Sequence, residues 1–403
     1  MKYVVAFVSL VLLGCAVILA QNFSGKAGKI KKPVNDQSST IAAVTPVMDG
    51  DVKAAVEKGA KWLASVQGAD GGWGQDGGEA SYVRQNVPLE SKGNDVANTA
   101  VAALALLRAG DQYRPNVERA INFILKKIEA SPADGLSITD VNQTQIQRKL
   151  GPYIDTFLAS MLLAQVEGTL AGANKARARS GLEKCVAKIE RNQLSDGSWN
   201  IAGGWAPVLG TSLASRSLYL ASKNGVKVSE ETMAKAEDYT LTSQRYQNRG
   251  SSPARVAGGR VDTLSLSPGT AGAPASTPAP ALSAAAGVGL YQDAQALEQL
   301  SRSAEDRVKN ASEIATIKGK LSSAQFVEGF GSMGGEEFFS YLNINDSLRR
   351  TGGKEWGEWH SKISNKVLKL QNSDGTWAGH HCITGRVAVT SAAILNLMPE
   401  NAD

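Results

Sequence analysis

The chain has 403 residues, with 43 Lys and Arg against 38 Asp and Glu, for a formal net charge of +5. Apolar residues make up 42% and charged residues 20%, a globular composition that excludes a disordered or collagen-like chain. Three Cys exclude a disulfide-stapled mini-fold, three His leave little room for His-based catalysis, and the mild basic excess has no cluster behind it, so nucleic acid is not an expected partner.

The first element is an export segment. Lys2 precedes an apolar run from Tyr3 to Ala20, followed by polar Gln21 and Asn22. This reads as a signal peptide over 1–20 with cleavage after Ala20. Leu12-Leu13-Gly14-Cys15 offers a lipid-anchored alternative at Cys15, and an uncleaved signal anchor is the other. Each places the mature chain outside the cytoplasm, in the periplasm or beyond. Residues 21–48 have no apolar period and read as a flexible tether. No second apolar run reaches membrane-spanning length, so no transmembrane domain is expected beyond the signal segment. The remainder, 49–403, reads as one domain.

A heptad-length string then recurs three times. Gln67-x-x-Asp70-Gly71-Gly72-Trp73 returns as Gln193-x-x-Asp196-Gly197-Ser198-Trp199 and as Gln371-x-x-Asp374-Gly375-Thr376-Trp377. Each copy ends an amphipathic helix marked by one apolar stripe: Val52, Val56, Gly59, Leu63 and Val66; Leu182, Cys185, Val186 and Ile189; Trp356, Trp359, Ile363, Val367 and Leu370. The Asp-Gly pair stops the helix, with Gly supplying the left-handed conformation. Each copy is followed by a helix that is small and apolar nearly all round, beginning at Thr99, Thr211 and Thr390. Weaker units fill the gaps. Residues 115–129 and 229–245 have the one-faced pattern; 153–166, 281–292 and 336–350 have the enclosed one; a separate polar helix is expected at about 293–318. Residues 247–283 hold five of the thirteen Pro and read as an irregular insertion. The fold class is therefore all-α, with five to six helical hairpins whose enclosed helices form an inner ring.

The Gln-x-x-Asp-Gly-x-Trp copies resemble the QW-type repeat of the prenyltransferase and squalene-cyclase repeat superfamily, across roughly residues 50–398. The resemblance implies an (α/α) toroid with a central cavity, open where the inner helices begin. It also implies that Gln reaches a neighbouring helix end and that Trp covers the turn. The sites of that superfamily are not matched. The Asp-x-Asp-Asp acid of the cyclases, the Asp-x-Cys zinc motif of the prenyltransferases and the Cys-Gly-Glu-Gln thioester string do not occur in the sequence. Terpene cyclase or protein prenyltransferase activity is accordingly disfavoured, and lipid affinity is a family-level expectation only.

The candidate site is the rim loop Gly379-His380-His381-Cys382-Ile383-Thr384-Gly385-Arg386. His and Cys are zinc ligands, and a thiolate near a helix N-terminus is stabilised there. Lanthionine-cyclase relatives of this toroid bind zinc through an adjacent Cys-His pair and a further Cys. Here the order is reversed and the other mature Cys, Cys185, falls on an apolar stripe, so a third ligand would be Glu336 or Glu337. Zinc is thus possible but not required, and a plain polar loop capping a helix remains the simpler reading. Gly334-Gly335-Glu336-Glu337-Phe338 matches a diguanylate-cyclase string, but the helical repeats around it are the wrong setting. Asp95, Asn98, Tyr153, Asp155, Trp205, Arg216 and Tyr341 are the other polar or aromatic residues on or near inner helices; for Arg216 a buried ion pair is expected. His360 reads as an exposed or rim residue. Two functions stay open: an exported repeat protein binding a small molecule, lipid or protein at the toroid mouth, or an enzyme using the His-His-Cys loop with a Glu.

Overall fold

The computed structural model describes residues 50–76, 93–199, 207–250, 289–321, 335–379 and 383–400, with only the backbone of 207, 245–250, 335 and 336. The export segment, the tether, Trp205 and the insertion from 251 onward lie outside them. The helices are α1 (Gly50–Ser65), α2 (Val96–Ala109), α3 (Arg114–Ala130), α4 (Gln145–Leu150), α5 (Ile154–Val166), α6 (Ala173–Arg191) and α7 (Pro207–Lys223), then α8 (Glu230–Gly250), α9 (Gly289–Leu300), α10 (Ala304–Lys309), α11 (Ala311–Leu321), α12 (Gly335–Thr351), α13 (Lys354–Lys369) and α14 (Arg386–Leu397). Among the described residues the only extended pairing is a single bridge between Trp73 and Asp95.

Two kinds of helix alternate. The outer helices α1, α3, α6, α8, α11 and α13 bury one stripe; α13, for example, buries Trp359, Ile363 and Val367 and exposes Lys362 and Lys366 to differing degrees around them. The inner helices are enclosed on all sides, as in α5, buried from Ile154 through Ala164. Each inner helix packs on the next: α2 on α5, α5 on α7, α7 on α9, α9 on α12, α12 on α14, and α14 back on α2. Outer α13 likewise meets outer α1. Six hairpins therefore close into an α/α toroid.

The repeat motif is a clip between hairpins. The Gln amide nitrogen donates to the Gly carbonyl of its own turn and to a carbonyl of the next outer helix. These bonds are 2.8 and 2.9 Å for Gln67 (to Gly71 and Asn116), 3.0 and 2.9 Å for Gln193 (to Gly197 and Thr232), and 3.0 and 2.8 Å for Gln371 (to Gly375 and Ala55). The Asp carboxylate accepts the backbone N–H two residues on, at 2.9, 2.9 and 3.0 Å. The buried indole N–H donates to the carbonyl ten residues earlier, Leu63, Ile189 or Val367, at 2.8, 2.7 and 2.7 Å. The Trp backbone N–H donates to the hydroxyl of Thr99, Thr211 or Thr390 on the following inner helix. Gly197 shows why the turn needs glycine: its φ is +88°, and an added Cβ would lie 2.1 Å from the Lys235 carbonyl oxygen.

One expected boundary is corrected. The described fourth inner helix, Gly289–Leu300, runs past the expected end at 292, and residues 293–300 belong to it rather than to a separate polar helix. Asp293, Gln295, Glu298 and Gln299 are buried in the ring. Most of their polarity is met from inside: Glu298 pairs with Arg302 at 2.7 Å, Asp293 with Lys320 at 3.0 Å, and Gln299 accepts from Ser215 and Thr240, whereas the Gln295 amide nitrogen has no hydrogen-bond partner among the described residues. Buried polar groups with partners are tolerated, so polarity alone misreports exposure. The outer partner of α9 is α8, with α11 a lesser neighbour.

Candidate functional site

All six inner helices begin at one rim, and two carboxyls meet there. Asp95 caps α2: its Oδ1 accepts from the Asn98 N–H and its Oδ2 from the Asn98 amide, both at 2.8 Å. Asp155, in the first turn of α5, reaches the same helix end. Its Oδ1 accepts from the Ala97 N–H at 3.1 Å and its Oδ2 from the Gln147 amide at 2.7 Å. Burial pushes Asp95 up to about 6. Burial, and then the charge of Asp95, push Asp155 up to about 7. The pair therefore holds a proton to well above the usual carboxylate range. Beside it, the buried Asn98 Oδ1 has no hydrogen-bond partner among the described residues.

The rim loop is held at its C-terminal end. The Arg386 N–H and Nε donate to Asp76 Oδ1 at 3.0 and 3.3 Å, its Nη1 donates to Asp374 at 3.2 Å, and the guanidinium lies 5.0 Å from the Trp62 ring centre. Gln145 Oε1 accepts from the N–H groups of Thr384 (2.8 Å) and Gly385 (3.2 Å). The residues just after the His-His-Cys triplet are therefore fixed against α4. His380, His381 and Cys382 themselves lie outside the described residues, as does the Glu336 side chain. Among the described residues no three His, Cys, Asp or Glu are grouped to hold a metal ion. Glu337 is buried at the start of α12; burial first, then the Glu337 charge, push the Tyr341 phenol upward.

Cys185 is a buried free thiol on α6, pushed up to about 12 by burial. That is core chemistry rather than nucleophile chemistry. His360 is half-buried on α13 and stacks on Trp356 at 4.5 Å; burial, then Arg349, lower it to about 4.

The opposite end of the ring holds a charged network. Arg216 of α7 donates to Asn343 at 3.0 Å and pairs with Asp346, both on α12; Arg108 of α2 also pairs with Asp346, at 3.5 Å. Helices α2, α7 and α12 are alternate members of the ring, so these bonds cross its interior. Asn343 further donates to Ser212 at 3.1 Å. Burial disfavours the Arg216 charge, but Asp346 and Glu400 outweigh it and keep the guanidinium protonated. Burial is similarly outweighed at Asp346 by Arg108 and Arg216, which hold it at about 2. Arg216 is thus the expected ion pair. The acid pair and this network were not apparent as units, because their members sit far apart in the chain; only Asp95, one turn before Thr99, carries a local sign of its capping role.

Residues 34–135 match the family model described as the squalene-hopene cyclase C-terminal domain. The chain is 39% identical over 70 residues to a squalene–hopene cyclase of Bradyrhizobium diazoefficiens, and 36% identical over 69 residues to a probable squalene–hopene cyclase of Sinorhizobium fredii. Each match covers 17% of this chain and 10% of the relative, so it spans about a tenth of those enzymes. The repeat domain is squalene-cyclase-like. Among solved structures it is similar to the apo type II terpene cyclase MstE from Scytonema, at TM-score 0.48 and 12% identity over 86% of this chain and 98% of that one. The squalene-cyclase-like domain described above owes its ring to its own helix contacts. Among the described residues no helix is long and apolar enough to cross a membrane.

Proposed function

We propose that this squalene-cyclase-like chain is exported and binds a ligand or partner at the toroid rim, without cyclising a polyprene. The observation that carries this reading is the Arg216–Asp346–Arg108 network across the ring, joined by Asn343 and Ser212. Polyene cyclisation moves a carbocation along a folded apolar chain. A fixed guanidinium in that path repels the cation, and amide and carboxylate oxygens would capture it. The rim is the feature that remains for binding. Its described part carries Arg386 over Trp62, with the acid pair buried behind it, and His380, His381 and Cys382 precede Arg386 closely in the sequence. Such a surface offers both donors and acceptors to a polar ligand.

Incubation of purified protein with squalene should return squalene alone by gas chromatography and mass spectrometry; a cyclised triterpene would overturn the proposal. Native mass spectrometry should show a retained molecule that is lost when His380, His381 and Cys382 are all changed to Ala with the helical spectrum intact. N-terminal sequencing of the mature chain should begin at Gln21.

A further inference from the structure

We infer that the far end of the toroid is a carboxylate-binding site, filled in this chain by its own Glu400. Helix α14 ends at Leu397, and the next three residues turn into the base of the ring. There Arg108 Nη2 and the Gln165 amide reach Glu400 Oε1, at 3.1 and 2.5 Å, while Arg216 Nη2 reaches Oε2 at 3.1 Å. Three donors from three inner helices thus converge on both oxygens of one planar group. That arrangement recognises carboxylate by shape as well as by charge.

The charge balance makes the site a receptor rather than a chance contact. Without Glu400, the guanidiniums of Arg108, Arg216, Arg302 and Arg350 pair, among the described residues, with Asp346 and Glu298 alone. A buried excess of positive charge is costly, and an added anion relieves it. The wall is permanent, because the Asp346 side chain is fully enclosed. Glu400 is the replaceable member: its side chain is 26% exposed and it lies three residues beyond the end of α14. The tail is held by backbone bonds as well. Arg108 binds the Met398 carbonyl at 3.1 Å, and the Glu400 N–H donates to Asp346 Oδ1 at 3.0 Å. A free carboxylate, or a carboxylate side chain on a partner, would occupy the same donors when the tail leaves. This site lies at the opposite end from the rim and does not depend on what the rim binds.

The test is chemical rescue. Glu400→Ala in the full chain should melt several degrees below wild type, and sodium acetate should restore the midpoint in a saturable manner. Sodium chloride at equal ionic strength should not, and wild type should respond to neither. Arg108→Gln combined with Glu400→Ala should abolish the acetate response while the protein remains folded. Unchanged melting of Glu400→Ala, equal rescue by chloride, or rescue that survives the Arg108 change would each overturn the inference.

Discussion

Asp95 and Asp155 are carboxyls kept from water with neutral partners only: Asn98, Gln147 and the Ala97 amide. Their folded values of about 6 and about 7 lie above the unfolded value of 3.8, so the folded chain binds the extra proton. Stability contributed by the pair is therefore greatest below about pH 4 and falls as pH rises through 6 and 7. Asp95→Asn should remove much of this slope. Asn is as good an N-cap, and its new N–H group can meet the Asn98 Oδ1 that now has no partner, if the Asn98 amide turns over. Urea melts should show a gain of about 1–3 kcal/mol at pH 8 and little at pH 4. A pH profile parallel to wild type would refute the assignment. In the sequence each Asp is legible alone, as a cap and as a first-turn acid. Their encounter is not, because 58 residues separate Ala97 from the Asp155 that accepts its N–H.

At the scale of the element, the repeat turn was legible because three copies expose its fixed positions. Gln, Asp, Gly and Trp each have one bonding task, repeated with nearly constant distances. Gln371→Ala removes both side-chain bonds and leaves the carbonyls of Gly375 and Ala55 short of a donor. The expected loss is about 1–3 kcal/mol by denaturant melt, with α13 and α14 still helical. A change below about 0.5 kcal/mol would show that solvent replaces the bonds without cost. The fourth inner helix was not legible in the same way. It lacks the repeat string, and Gln292, Asp293, Gln295, Glu298 and Gln299 break the apolar pattern that marks the inner helices after the three repeat turns. Arg302, the partner of Glu298, is only four residues on, but Lys320, Ser215 and Thr240 come from other elements, and periodicity cannot register such partners. The rim loop is legible as a cluster of rare residue types, but its anchoring by Gln145 and Asp76 again depends on distant elements.

At the scale of the whole molecule, the ring closes where the last turn meets the first helix. Gln371 binds the Ala55 carbonyl across 316 residues of chain, and Trp377 fits against Gly59. A Cβ on Gly59 would stand 2.8 Å from Trp377 Cζ3 and 3.3 Å from the Gly375 oxygen. Two effects oppose each other in Gly59→Ala. Helix propensity favours Ala by about 1 kcal/mol. Overpacking costs about 1–3 kcal/mol, and Trp377 is fully enclosed with its N–H committed to Val367, so it has little room to retreat. Strain should win, and the variant should be less stable than wild type. Because the closure joins both ends of the domain, the loss should not stay in α1. Amide hydrogen exchange should accelerate in α13 and α14 together with α1, while α6, on the far side of the ring, keeps its relative protection. Faster exchange confined to α1 would mean that the first helix frays independently and that closure adds no coupling between the two ends.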